Sequence, residues 1–283
     1  MNATSARPRV AASSDHGMAA APDSHGAAPQ IALSYGLGAD STAVLLRWLS
    51  EPETRPCDLA DLLVVTAMTG DEWAVTGRLV TRHILPRLRA YEIRYAQVAR
   101  AGPVQADGVA VLDDSRRPRQ LHLAGAFRLS DELRAAGTVP QVAGVRKCSL
   151  KAKGWPIDQF LARATGGRPY LHVMGYEAGE VSRARRDATY DTATRTGSYP
   201  LIAWGWDRAA CERYIRSVTG ADWPKSACSY CPYALCSADG RARVLAAFAA
   251  DPAGALDKEG PGFAGTWRQA LEHPAGQLRL GRV

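Results

Sequence analysis

Long apolar runs are absent from this sequence of 283 residues. No window approaches the roughly 18 consecutive apolar residues of a membrane-spanning helix, and the first residues lack the apolar core of a secretory signal. We therefore expect neither a membrane protein nor a secreted one, and we predict a cytoplasmic location. With 46% hydrophobic and 22% charged residues, the chain has enough apolar material for one large domain, or for one domain with a smaller appendage.

Cysteine is scarce, and residues 237–283 contain none. Thiols in a reducing cytoplasm do not normally form structural disulfides. Three of the six cysteines lie close together, at Cys228, Cys231 and Cys236. This clustering predicts a metal, iron–sulfur or redox site.

The charge balance points to an anionic partner. The formal net charge is +7, which favours a nucleotide, a sulfated or phosphorylated small molecule, or a nucleic acid. Charge alone does not distinguish among these three classes.

The chain divides into three parts. Residues 1–28 are rich in Ala, Ser, Pro, Gly and Asp without apolar periodicity, and they predict a disordered tail. Residues 29–207 alternate short apolar runs with helical patterns, which predicts an α/β domain, Rossmann-like, with helices on both faces of a mostly parallel sheet. Residues 208–283 predict a small helical part that carries the cysteine cluster. Within the domain, the polar stretch 102–141 predicts a partly helical loop or lid.

The strands predicted for this domain set the expected position of a ligand. They are residues 31–33, 62–67, 93–98 and 170–175, and helices are predicted from residues 41–49 and 75–90. Ligands of such sheets bind beyond the carboxyl ends of the strands, where the strand order reverses. The motifs below, apart from the C-terminal cysteines, follow a predicted strand or lie in a connecting loop.

A glycine-rich turn follows the first strand, where residues 34–41 read SYGLGADS. Gly36 and Gly38 carry no side chain, so backbone N–H groups can close around a phosphate at the positive end of the next helix. The turn has no Gly-Lys-Ser/Thr, which excludes the usual P-loop, and it lacks the third glycine of a dinucleotide fingerprint. A turn that only caps the helix is the alternative.

This turn resembles the Ser-Gly-Gly-x-Asp-Ser loop of the PP-loop ATP pyrophosphatases (adenine nucleotide α-hydrolase-like, HUP-type fold), which include the phosphoadenylylsulfate (PAPS) reductases. One extra residue, Tyr35, precedes the glycines, and position 39 holds Ala where many members have Lys. The resemblance implies an ATP-binding site that includes these residues: Ser34, Tyr35, Gly36, Gly38, Asp40 and Ser41.

Three further segments match the same family in the same order. Residues 69–73 (TGDEW) resemble Asp-Thr-Gly-x-Glu-Phe, residues 175–183 (GYEAGEVSR) resemble Gly-x-Arg-x-x-Glu-Ser-x-Arg, and residues 199–204 resemble an architectural Pro-Leu-x-x-Trp segment. The resemblance adds these residues to the nucleotide site: Thr69, Gly70, Asp71, Glu72, Gly175, Glu180, Ser182 and Arg183. It also implies that Asp40 and Arg183 are catalytic, and that Asp40 or Asp71 helps to hold Mg²⁺.

The cysteines extend the resemblance. Residues 146–156 are similar to the Arg-x-Cys-x-x-x-Lys-x-x-Pro stretch of the reductase and sulfur-transfer branches, and Cys228-x-x-Cys231-Pro232 follows later. In relatives with a [4Fe-4S] cluster, such segments converge on it. The implied ligands are Cys148, Cys228 and Cys231, with Cys236 near enough to be the fourth, and Cys148 is also implied to be catalytic. Flanking Arg and Lys are expected to lower the thiol pKa values. Zinc on the same four thiols is the alternative.

The family allows two enzymatic functions. PAPS reductases attack with a cysteine near the C-terminus, and residues 237–283 have none. ATP-dependent sulfur transfer, which releases AMP and pyrophosphate, is therefore the function that we expect, with PAPS or adenylylsulfate reduction as the alternative. The expected partners are an adenine nucleotide, a sulfur- or electron-donor protein and a nucleic-acid acceptor. A non-enzymatic, zinc-stabilised nucleotide- or DNA-binding protein is the alternative from another class.

Overall fold

The computed structural model describes residues 29–137, 140, 142 and 146–250. The predicted tail at 1–28 and the end of the predicted C-terminal part, 251–283, lie outside the described residues. The predicted boundary between residues 207 and 208 stays a prediction. No helix among the described residues is long and apolar enough to cross a membrane.

The protein is an α/β structure built on one six-stranded sheet. The strand order is β4-β3-β2-β1-β5-β6, and every neighbouring pair is parallel except β3 and β4. The strands are β1 (Ile31–Ser34), β2 (Leu62–Met68), β3 (Arg94–Arg100), β4 (Val109–Ser115), β5 (Tyr170–Met174) and β6 (Arg195–Ser198). The predicted fold class is confirmed, and the four predicted strands correspond to β1, β2, β3 and β5.

Helices cover both faces of the sheet. The first half of the chain has α1 (Ala39–Ser50), α2 (Ala74–Leu79), a π-helical turn (Val80–Ile84), α3 (Leu85–Ala90), α4 (Leu129–Ala135) and α5 (Lys147–Ser149). A second π-helical turn (Leu150–Gly154) then leads into α6 (Trp155–Ala164), α7 (Val181–Asp187), α8 (Pro200–Ala203), α9 (Arg208–Thr219) and α10 (Ala238–Ala250). Short 3-10 turns include Ala178–Glu180 and Pro232–Leu235.

Two apolar layers hold the helices to the sheet. On one face, side chains of β1 and β2 pack with α1, α3 and α9, and Trp48, Leu85 and Ile215 lie in this core. On the other face, Phe160 and Leu161 of α6 pack against β2 and β3. β2 is buried along its whole length, and every residue in it except Thr66 is apolar, as expected for a central parallel strand.

The stretch 102–141 corrects the prediction of a loop or lid. It contains β4, which pairs antiparallel with β3 at the edge of the sheet. Only Val109 of β4 is fully buried, so the strand has few of the apolar residues that mark a central strand. The predicted helix is present but short, as α4.

Candidate functional site

The site lies where the strand order changes direction. β1 has β2 on one side and β5 on the other, so the chain crosses from one half of the sheet to the other across the carboxyl end of β1. The glycine turn leaves β1 at this edge, and Gly175 directly follows β5. This is the position at which open α/β sheets bind ligands.

The glycine turn has the exposed backbone that an anion site requires. Gly36 is exposed, while Leu37 between the two glycines is buried and has a φ of +63°. A positive φ at a non-glycine residue costs of order 1 kcal/mol or more and is typical of functional turns. The amide of Gly36 donates to Ser41 Oγ (3.1 Å). α1 begins at Ala39, and its first amides have no partner within the helix.

Gly175 brings the end of β5 against the start of α1. A Cβ atom at this position would lie 2.8 Å from the Ser41 amide nitrogen and 3.1 Å from its Cα. Both are backbone atoms that cannot move aside, so only glycine fits here. Gly175 therefore packs the end of β5 directly against the first turn of α1.

Asp40 is the charged residue at the start of α1. Its Oδ2 accepts from Arg208 Nη2 at 2.6 Å, whereas its buried Oδ1 has no hydrogen-bond partner within the described chain. Burial raises the pKa of Asp40 to about 6, although Arg208 acts in the opposite direction. An unpartnered buried carboxylate oxygen suits a cation or a hydroxyl donor from a ligand. Asp40, rather than Asp71, therefore fits a magnesium ligand.

A buried hydrogen-bond chain ends on Ser34. Arg195 Nε donates to His172 Nδ1 (3.0 Å), so the ring proton lies on Nε2, which donates to Ser34 Oγ (2.8 Å). Burial and then Arg195 lower the pKa of His172 to about 4, so the ring is neutral at pH 7. Asp187 and Asp191 each pair with Arg195 at 2.7 Å. Ser34 thus accepts from His172 and keeps its own proton for donation at the end of β1.

The side chain of Tyr35 points away from the turn. It is buried in the core, and its hydroxyl lies 3.2 Å from Thr42 Oγ1. Only the backbone of Tyr35 is therefore placed to contact a ligand in the turn.

The segment after β2 is buried and engaged with the protein itself. Asp71 Oδ2 accepts from the amide of Ser130 (3.0 Å) and from Tyr230 Oη (2.8 Å). Glu72 Oε1 pairs with Lys153 Nζ at 2.8 Å. Although burial opposes its charge, Lys153 has a raised pKa because Glu72 lies beside it. These carboxylates thus hold the cysteine-bearing segments to the sheet.

Thr69 and Gly70 complete this segment. Thr69 Oγ1 lies 3.3 Å from Cys228 Sγ. Gly70 has a φ of +88°, and a Cβ there would overlap the side chain of Arg128. Both residues therefore face protein neighbours, like the two carboxylates that follow them.

The third predicted segment lies at the surface after β5. Glu180 forms an ion pair with Arg183, whose guanidinium lies 4.5 Å from the centre of the Tyr176 ring. Ser182 is exposed. The negative charge of Glu180 acts on Asp40 and raises its pKa, which places Glu180 in the electrostatic environment of the turn.

Three of the predicted metal ligands lie on converging segments. Cys148 and Cys228 pack against the same small cluster, formed by Leu129, Leu133, Ala152 and Tyr230. The guanidinium of Arg146 lies 4.3 Å from the centre of the Tyr233 ring, which links the start of α5 to the region of Cys231. The π-helical turn after Cys148 is a feature often found at functional sites.

The thiols differ from the expectation in their pKa values. Burial raises the pKa of Cys228 to about 12, and burial followed by the charge of Cys231 raises the pKa of Cys148. The expected lowering by Arg and Lys is therefore outweighed by desolvation. Cys236 is exposed, and its Sγ lies 3.6 Å from the Pro232 carbonyl.

The cysteines have the chemistry of a metal site. Among the described residues, no group of three or more His, Cys, Asp or Glu side chains is close enough to hold a metal ion. The raised pKa values of these thiols are nevertheless compatible with a metal or iron–sulfur centre, because a bound metal favours the deprotonated form of its ligands.

Several polar or charged residues near the site were not predicted from the sequence. His172 is a polar residue in an otherwise apolar strand, which is a usable signal of a special role. Arg195, Arg208 and Lys225 belong to no motif. Their positions follow only from contacts between distant parts of the chain.

The comparisons with known proteins add no relative. No protein-family model, no curated protein and no solved structure matches this chain. The functional argument therefore depends on the geometry above and on the resemblance of the four segments and the cysteines.

Proposed function

We propose that the protein is an adenine-nucleotide-dependent enzyme that activates an acceptor oxygen with ATP and replaces it with sulfur. The observation that carries the proposal is the approach of Gly175 to the start of α1 beside the exposed glycine turn. This geometry leaves backbone amides free to hold phosphate oxygens at the switch point of the sheet.

The first step would transfer adenylate to the acceptor. The acceptor oxygen bonds to the α-phosphorus, the bond from that phosphorus to the bridging oxygen breaks, and pyrophosphate leaves. Backbone amides at the start of α1 would stabilise the charge that develops on the phosphates. The unpartnered Oδ1 of Asp40 would hold Mg²⁺, and Ser34 would donate its free proton to a phosphate oxygen.

In the second step, a sulfur nucleophile bonds to the acceptor atom that carried the oxygen, and AMP leaves with that oxygen. Cys148, Cys228 and Cys231 would hold a [4Fe-4S] cluster, with Cys236 as the candidate fourth ligand. Bound there, the cluster would supply electrons or a site for sulfur. Lys153, beside Cys228 and paired with Glu72, would offset part of the negative charge of the thiolates.

Product analysis tests the proposed reaction. The full-length protein, purified without oxygen, is incubated with Mg²⁺, ATP, a sulfide source and either total tRNA or plasmid DNA. We expect AMP and pyrophosphate in equal amounts, dependent on one of the two nucleic acids, and no product from Asp40→Ala. Formation of ADP and phosphate, or no nucleotide hydrolysis with either acceptor, would contradict the proposal.

The same preparation distinguishes the alternatives. Release of sulfite from PAPS would identify a reductase. Tight ATP binding with no turnover and zinc in place of iron would identify a binding protein.

Metal analysis tests the cysteine assignment. We expect iron and sulfide in the wild type, with loss of both in Cys148→Ser, Cys228→Ser and Cys231→Ser. Cys236 is exposed, so we expect Cys236→Ser to retain most of the iron. Cys211→Ser is the matched control, because Cys211 is buried in the main core and is not one of the proposed ligands. Iron retention in all three of the first variants would reject the assignment.

A further inference from the structure

Residues 223–231, which we call the covering segment, lie across the ends of β1 and β2. Trp223 Nε1 donates to the Leu37 carbonyl (2.9 Å), and Ser226 Oγ donates to the Gly36 carbonyl (2.6 Å). A Cβ atom on Gly38 would come within 3.1 Å of the Ser226 backbone nitrogen. The covering segment is therefore fixed against the glycine turn on both sides of Lys225.

The covering segment is also anchored beyond the turn. The amide of Ser229 donates to the Asp71 carbonyl (2.9 Å), and Cys228 forms an isolated antiparallel bridge with Glu72. Contacts at the ends of both β1 and β2 thus fix the position of residues 223–231. These contacts of the covering segment position Lys225 beside the glycine turn.

The two cations at the turn differ in their partners. Arg208 is paired with Asp40 at 2.6 Å. Lys225 is exposed and has neither a salt bridge nor a hydrogen bond within the described part of the chain. The charges of Arg208, Glu180, Arg146 and Asp40 all act on it. Among the described residues, Lys225 is thus a solvent-accessible cation beside the turn that has no partner of its own.

We propose that Lys225 binds the β- and γ-phosphates of the nucleotide, in the role that a lysine within the turn would otherwise have. Position 39 of the turn is Ala and is fully buried, so the turn itself offers no cation. A lysine ammonium is a compact charge that binds phosphate oxygens well. The ligand class is a nucleotide with a polyphosphate chain, and this inference rests on the proposed function.

Calorimetric titration of the full-length protein tests the role of Lys225. Wild type, Lys225→Met and Lys225→Arg are each titrated with ATP, pyrophosphate and AMP. We expect Lys225→Met to weaken ATP and pyrophosphate binding about tenfold or more, and AMP binding less than about threefold. Lys225→Arg restores most of the affinity for ATP. Arg163→Met is the control for loss of a positive charge, because Arg163 is exposed on α6 and lies outside the turn and the cysteine segments.

The outcomes separate this inference from the proposed function. If the wild type binds ATP and Lys225→Met binds it equally well, Lys225 has no role and the proposed function stands. An equal loss of ATP and AMP affinity would also overturn the inference, because it would indicate altered packing of the covering segment. If the wild type binds none of the three ligands, both proposals fail.

Discussion

The carboxyl ends of β1 and β2 lie side by side but differ in how their polar groups are used. After β1, Gly36 is exposed and Asp40 Oδ1 has no partner in the described structure. After β2, Asp71 is buried and accepts two hydrogen bonds from distant segments. Both segments resemble the nucleotide site of one family. Glu72 also has a buried oxygen, Oε2, without a hydrogen-bond partner among the described residues, although its Oε1 pairs with Lys153. The contacts favour a ligand at the first strand end and, through Asp71, internal hydrogen bonding at the second.

The largest effect expected from this comparison is on stability at Asp71. Asp71→Ala removes the carboxylate that accepts from the buried Ser130 amide and from the Tyr230 hydroxyl, and we expect the free energy of unfolding to fall by about 3 kcal/mol. Chemical denaturation measures the change.

Asp71→Asn keeps one acceptor oxygen, so its free energy of unfolding should fall by less. This variant can therefore be measured even if the alanine variant does not fold. We expect Asp71→Asn to bind ATP with wild-type affinity. Loss of ATP binding in a well-folded Asp71→Asn variant would indicate that the end of β2 also contacts the ligand. The two strand ends would then not differ in function.

Asp40 should give a smaller effect that depends on pH. The pKa of Asp40 is raised from 3.8 to about 6 in the folded chain, so between these values the unfolded state loses a proton that the folded state keeps. Stability therefore falls as pH rises through this window. Relative to Asp40→Asn, we expect the wild type to lose about 2 to 3 kcal/mol between pH 3.8 and pH 6.

Denaturation curves at several pH values measure this difference. Asp239→Asn, which removes an exposed carboxylate on α10, is the control for the loss of one negative charge. Parallel stability curves for the wild type and Asp40→Asn would show that Asp40 titrates normally.

Ser34 should give the smallest effect. Ser34→Ala removes the acceptor for His172 Nε2 at a partly buried position, and we expect the free energy of unfolding to fall by about 1 kcal/mol. The exposed Ser182→Ala variant is the matched control and should be neutral. If Ser34→Ala lowered the free energy of unfolding as much as Asp71→Ala, the polar groups at the end of β1 would contribute as much to stability as those at the end of β2.

The sequence was informative where structure follows from local pattern. The apolar run of β2 and the helical spacing of α1 predicted their elements because each buries side chains at a regular period. β4 was missed because an edge strand needs few apolar residues, and its Asp114 instead pairs with Arg94 at 2.8 Å.

The candidate site was predictable only in part. The glycine turn is continuous in sequence, so its residues could be recognised together. Asp71 and Tyr230 are separated by 159 positions, and Gly36 and Ser226 by 190. No local pattern encodes such pairs, so the sequence revealed neither the internal partners of Asp71 nor the position of Lys225.

Titration of ATP into the wild type and Gly175→Ala tests the central claim most directly. The added Cβ would lie 2.8 Å from the Ser41 amide nitrogen, so we expect ATP affinity to fall more than about tenfold. Gly154→Ala, whose Cβ has no neighbour closer than 3.9 Å, should bind ATP like the wild type. If folded Gly175→Ala retains wild-type affinity, or if the wild type does not bind ATP, the glycine turn is not a nucleotide site.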